Sequence, residues 1–124
     1  MTEPRPTAWW TGLFAAIDRK DTTAFLGHLA EDAEFRFGNG PPAHGHAAIG
    51  AAVAGFFGAI GGSRHRLGRT WQDADSAVCE GEVTYTRLDG STLTLPFVDV
   101  FHFRGERIGR YLIYMDVNPL FQPG

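Results

Sequence analysis

Thr92-Leu93-Thr94-Leu95-Pro96-Phe97-Val98-Asp99-Val100-Phe101-His102-Phe103 is the stretch whose alternation decides the fold. Successive side chains of a strand point to opposite faces. One face then carries Leu93, Leu95, Phe97, Asp99, Phe101 and Phe103, and the other Thr92, Thr94, Pro96, Val98, Val100 and His102. The first set is the more apolar, so it faces whatever covers the sheet. Asp99 sits in the middle of that set. Ionising a carboxyl there is costly, and its pKa rises unless a cation or donor is close. An acid of that kind inside a cavity is a candidate functional group. The competing reading is a structural Asp satisfied by a backbone amide, a Tyr or an Arg.

Working outward, Asp89-Gly90 is a short-hairpin signal, and Arg104-Gly105-Glu106 is a turn into a last strand. Strands are expected near 64–71, 77–88, 92–103 and 107–116. Upstream the period changes. Trp9, Trp10, Leu13, Phe14 and Ile17 share one face of a helix that Thr7 can cap. Asp21 or Thr22 caps a second, shorter helix with Phe25, Leu26 and Leu29 inward. Residues 33–37 read as a short strand, and 38–45 as a loop with three glycines and Pro41-Pro42. A third helix is expected over 46–60, with Ile49, Val53, Phe56, Phe57 and Ile60 as its stripe. Its alanines and glycines let it approach a sheet closely, and Gly61-Gly62 ends it. The order is α+β: an antiparallel meander forming a curved sheet, with the three helices of the N-terminal half over one face.

The hairpin places further acids. If Asp89-Gly90 is a two-residue turn, Leu88 pairs with Ser91, Thr84 with Leu95, Glu82 with Phe97 and Glu80 with Asp99. Directly opposed residues share a face, so Glu80 and Glu82 would join Asp99 inside. Neighbouring carboxyls push their pKa values apart, giving one proton holder and one base. A turn one residue longer would put both glutamates in solvent. Arg36, the odd residue of the first strand, is either exposed or neutralises one of these acids.

Composition narrows the rest. The 124 residues suffice for one domain, 1–124, and 44% are hydrophobic, including ten Phe, three Trp and three Tyr, so no staple is needed. The single cysteine, Cys79, excludes an internal disulfide and points to a reducing cytoplasm. The first seven residues lack the apolar run of a secretion signal, and no stretch has the ~18 apolar residues of a membrane span. Net charge is −3. Arg64, Arg66 and Arg69, with Arg104, Arg107 and Arg110, read as solvated strand faces rather than a nucleic-acid footprint. His44 and His46 flank Gly45 without a third ligand at metal spacing, and His28 and His65 show no partner in the sequence. No phosphate-binding glycine motif occurs, and neither Ser63 nor Ser76 stands in a nucleophile elbow. No metal and no cofactor are expected.

The chain resembles the SnoaL-like, ketosteroid isomerase-like branch of the nuclear transport factor 2-like superfamily. The resemblance is carried by Leu26-Gly27-His28-Leu29-Ala30-Glu31-Asp32-Ala33, Pro41-Pro42-Ala43-His44-Gly45, Val98-Asp99-Val100-Phe101-His102-Phe103 and Tyr114-Met115-Asp116. It implies a cone, with a deep pocket at the open end and a homodimer through the outer sheet face, for which Tyr85, Val98 and Val100 are suited. It also implies that Asp99 falls on the neutral oxyanion-hole Asp of ketosteroid isomerases. Their Tyr falls on Leu13, and their base on Arg36 or Phe37. The Asp–Arg–Asp set of limonene epoxide hydrolases falls on Glu82, Thr84 and Ile113, and the polyketide-cyclase base on Ile113. One group of each known set at most is therefore kept.

Three functions are compatible with these residues. The first is an isomerase-, cyclase- or hydrolase-like enzyme acting on a small apolar cyclic or polyketide-like compound. In it Asp99 and Glu82 are the catalytic pair, and Trp10, Leu13, Phe14, Phe37, Glu80, Thr84, Phe97, Phe101, Tyr111 and Ile113 line the pocket. The second is a non-catalytic binder using the same pocket, in which aromatics such as Trp10, Phe14 and Tyr111 are partly plain core. The third is a subunit whose role is homodimerisation.

Overall fold

The computed structural model describes residues 5–122. Helix α1 (Thr7–Asp18) follows Pro6 and has no side-chain cap, so Thr7 lies inside its first turn rather than ahead of it. Asp21 caps α2 (Thr22–Gly27), its carboxylate accepting the Ala24 N–H at 3.0 Å. The first strand, β1 (Leu29–Phe37), starts earlier than the expected 33, and Leu29 opens it instead of closing a helix. A two-residue β2 (Ala43–His44) leads into α3 (Gly45–Gly58). Four long strands follow: β3 (Gly62–Gln72), β4 (Ser76–Thr86), β5 (Thr92–Arg104) and β6 (Arg107–Tyr114). A 3-10 turn (Asn118–Phe121) closes the described chain.

The strands form one open sheet in the order β2-β1-β6-β5-β4-β3, with the helices over its inner face: an α+β cone. The sheet is mixed, not wholly antiparallel. β1 runs parallel to β6, while the other neighbours are antiparallel. Parity accounts for this. α3 carries the chain across to the far edge, and the meander back through three reversals brings β6 beside β1 in the same sense.

The β4–β5 hairpin has the register that decides the site. Thr86 pairs with Thr92, so the connection is five residues rather than two. The Asp89 carboxylate holds it open, accepting the Ser91 N–H at 2.9 Å and the Ser91 hydroxyl at 2.6 Å. Gly90 supplies the left-handed φ of +89°. Asp99 therefore faces Cys79, not Glu80, and Leu95 faces Val83, not Thr84. A one-residue shift exchanges the two faces of a strand. Cys79, Val83 and Tyr85 are buried inside, and Glu80 and Glu82 are exposed outside.

Bulges curve the sheet. The β3–β4 register slips between Leu67 and Arg69, opposite Gly81, where an added Cβ would run into the Arg66 carbonyl. The outer face carries the six clustered arginines, all exposed. Arg66 pairs there with Glu82, Arg104 with Asp32, and Arg110 with Glu34 at 2.9 Å.

Candidate functional site

Between the inner face of the sheet and α3 lies a cavity of about 240 Å3. Val53, Phe56 and Phe57 of α3 form one wall, and Phe35 and Phe37 of β1 another. Tyr111 and Ile113 of β6, Phe97 and Asp99 of β5, Tyr85 of β4 and His65 of β3 supply the sheet side. The lining is mainly apolar, with few polar groups, the pattern of small-molecule sites.

Asp99 is 2% exposed. Its Oδ2 accepts a hydrogen bond from the Tyr111 hydroxyl at 2.9 Å, and its Oδ1 has no partner among the described residues. The two residues meet diagonally, because Phe101 pairs with Tyr111 and Asp99 with Ile113. Burial pushes the Asp99 pKa up to about 8, against the smaller opposing pull of the Tyr111 hydrogen bond. Near neutral pH the carboxyl is therefore mainly protonated. With Tyr111 donating to Oδ2, its own proton sits on the unpartnered Oδ1. The Tyr85 and Tyr111 hydroxyls are both pushed up, first by burial and then by the Asp99 charge, so both keep their protons. The Tyr85 hydroxyl has only the Met115 sulfur as acceptor, at 3.9 Å, and sulfur is a weak one. The cavity is thus supplied with proton donors, and among the described residues neither Lys nor Arg lines it.

At the α1 side the chain has built a second polar unit. His65 Nδ1 lies 2.6 Å from Asp18 Oδ1, and Asp18 Oδ2 accepts the His65 backbone N–H at 2.9 Å. The Ser63 hydroxyl donates to Asp18 Oδ1 at 2.8 Å. Burial raises the Asp18 pKa, but the hydrogen bonds and charge of His65 outweigh it, and the net shift is downward. Sequence reading assigned His65 no partner. The partner is 47 residues away on α1, and no local spacing announces it.

Of the expected pocket residues, Asp99, Phe37, Phe97, Tyr111 and Ile113 do line the cavity. Trp10, Leu13, Phe14 and Phe101 do not. They form the core behind it, with Trp10 edge-on to Phe101 at 5.6 Å and Phe14 against Phe97 at 6.0 Å. Glu80, Glu82 and Thr84 point away from it, because the hairpin is longer than two residues; Thr84 hydrogen-bonds Thr94 on the outer face at 2.8 Å. Glu82 is accordingly not the partner acid of Asp99. Tyr85, expected on the outer face, is 2% exposed and belongs to the cavity for the same reason. Arg36 is exposed and donates to the Gly40 carbonyl at 3.0 Å. His44 bonds Glu34 at 3.3 Å, and His46 bonds the Leu29 carbonyl at 3.0 Å. Among the described residues no group of three His, Cys, Asp or Glu is arranged to hold a metal. No described helix is long and apolar enough to cross a membrane.

This geometry agrees with what the chain is similar to. A protein of nuclear transport factor 2-like fold and unknown function from Burkholderia pseudomallei superposes with a TM-score of 0.81 at 22% identity, covering 90% of each chain. A candidate polyketide cyclase from Pseudomonas putida superposes with a TM-score of 0.75 at 25% identity, covering 88% of this chain and 90% of that one. A protein of ketosteroid isomerase-like fold from Catenulispora acidiphila, in complex with trimethylamine, gives a TM-score of 0.79 at 17% identity over 89% of this chain and 86% of that one. A search of the curated proteins finds no match. The family description "SnoaL-like domain" matches residues 10–111, and the chain belongs to that family.

Proposed function

We propose that the protein is an acid–base enzyme acting on a small, apolar, cyclic carbonyl compound, with Asp99 as the proton donor to the carbonyl oxygen. The observation that carries this reading is the Asp99 carboxyl, whose Oδ1 has no partner in the wall of an apolar cavity. A buried polar atom left unpaired costs roughly 1–3 kcal/mol. A ligand oxygen at that place recovers the cost, and a developing oxyanion recovers more. Tyr111 fixes the carboxyl from behind, and Tyr85 offers a second donor. A volume of about 240 Å3 lies just below the ~300–1,000 Å3 of sites for drug-sized ligands. One- and two-ring compounds therefore fit better than extended polycycles. Candidate polyketide cyclases among the similar structures support the class, not the substrate.

The test uses 2-tetralone labelled with 13C at its carbonyl. Its bound carbonyl resonance is expected downfield of the free one in the wild type and close to it in Asp99→Leu. An equal shift in both proteins would contradict the assignment of Asp99 as donor. Retention of the ligand without any reaction would favour a non-catalytic binder in the same pocket.

We also place a homodimer interface on the outer face. Trp71, Val78, Val100 and Leu112 are in cross-strand register there, an apolar row running over four strands, with exposed Tyr114 beside Val98. Sedimentation should give a dimer for the wild type and a monomer for Val100→Asp; an unchanged dimer would rule this face out. The buried free thiol of Cys79 accords with a reducing, cytoplasmic setting.

A further inference from the structure

With Asp99 as the acid, proton transfer at carbon still needs a base. The obvious carboxylate candidates, Glu80 and Glu82, are on the outer face. We propose that His65, oriented by Asp18, is the general base of the same cavity, taking a proton from a carbon conjugated with the carbonyl that Asp99 holds. This inference rests on the donor role of Asp99.

The hydrogen bonds fix which ring nitrogen does the work. An ionised carboxylate only accepts, and Asp18 is held ionised. The proton between Asp18 Oδ1 and His65 Nδ1 therefore belongs to Nδ1. The neutral ring then carries its lone pair on Nε2, which has no hydrogen-bond partner among the described residues. His65 lines the cavity, and its side chain is 10% exposed. Asp18 in turn is fixed by the Ser63 hydroxyl and the His65 backbone N–H, so the carboxylate that holds the ring at Nδ1 is itself held in place. The arrangement has a base oriented by a carboxylate, as acid–base sites need. Ser63 lies within that network as a donor to Asp18, not as a nucleophile aimed by the base.

Position sets the substrate. Phe97 stands on the same face of β5 as Asp99, two residues before it, and its ring is 5.3 Å from that of His65. Acid and base are thus separated by one aromatic side chain, and Phe14 packs against both rings, 4.9 Å from the imidazole and 6.0 Å from Phe97. A flat molecule lying on Phe97 can present its carbonyl to Asp99 and an acidified C–H to Nε2. The C–H pair becomes the new C=C bond, and the carbonyl π pair moves to oxygen, which Asp99 protonates or hydrogen-bonds. The proton rests on Nε2 and returns to the same or a conjugated carbon, as the O–H pair re-forms the carbonyl and any proton given to oxygen goes back to Asp99. Nothing else is consumed. The substrate class is an enolisable or vinylogous cyclic ketone.

The experiment is exchange of the acidic C–H protons of 2-tetralone in D2O, followed by proton NMR, alongside the carbonyl shift of the bound ketone. The wild type is expected to accelerate exchange. His65→Gln should lose roughly 10²-fold or more in kcat while keeping KM and the carbonyl shift, and added imidazole should restore exchange in His65→Ala. Asp18→Asn should lower kcat and change the 15N resonances of the His65 ring, since the amide lacks the charge and, with its oxygen kept for the His65 backbone N–H, turns a donor toward Nδ1; unchanged resonances would deny Asp18 its positioning role. Full exchange in His65→Gln would overturn the assignment of the base and leave Asp99 untouched. So would a wild type that shows the shifted carbonyl but no exchange. Loss of the carbonyl shift itself would strike the reading of Asp99 instead.

Discussion

At position 99 an acid has been placed where its charged form is expensive, and the consequence is measurable as stability. In the unfolded chain its pKa is near 3.8, and in the fold it is about 8. Between those values the native state holds more protons than the unfolded one, so stability falls as pH rises from about 4 to about 8. Asp99→Leu removes this slope. At pH 8 that variant should be more stable than the wild type by on the order of 2 kcal/mol, after allowing ~1–3 kcal/mol for the orphaned Tyr111 hydroxyl. Urea unfolding across the range checks both the flat profile and the sign. Tyr111→Phe acts oppositely on the acid. It deletes the hydrogen bond that lowers the Asp99 pKa, so Asp99 should titrate higher still, read by 13C NMR of its carboxyl. The sequence alone was enough to identify Asp99, because a charge in the middle of an apolar alternation is visible without coordinates. Asp18 and His65 were not identifiable, because each looks ordinary in its own element and only the packing of α1 on β3 joins them.

Among the elements, the β4–β5 hairpin shows how much can hang on one turn. Both strands followed from period and turn residues, yet β4 ends at Thr86 rather than at 88 and the pairing came out one residue off. The Asx turn from Asp89 to Ser91 enlarges the loop, and the faces of β4 exchange. Tyr85 thereby enters the cavity and Glu82 leaves it. Glu82→Gln should accordingly leave ligand affinity unchanged and alter stability by no more than about 0.5 kcal/mol, since its ion pair with Arg66 is exposed. Equal loss of binding in that variant would return Glu82 to the site. The bulge beside Gly81 makes the opposite forecast. Gly81→Ala should cost about 1–3 kcal/mol in urea unfolding, because a Cβ there meets backbone rather than a movable side chain. A neutral Gly81→Ala would mean that β3 and β4 are less closely apposed than described.

For the whole molecule, helices before strands implied the α+β class, the resemblance to the SnoaL-like family implied the cone, and the apolar stripes of α1 and α3 implied its filling. The parallel β1–β6 pair was less legible, because it depends on where α3 delivers the chain and not on any residue of β1. The division between core and cavity also lay beyond sequence reading. Trp10 and Phe14 are as aromatic as Phe37 and Phe97, but which rings close the core and which line the space beneath α3 is set by the packed elements and not by residue type. That space has apolar walls, which deny the Asp99 carboxyl the water that would lower its pKa. A 13C titration of the Asp99 carboxyl, assigned by its absence in Asp99→Leu, addresses this directly. A midpoint near 8 is the result predicted, and a midpoint near 4, the value of an acid in open water, would contradict it.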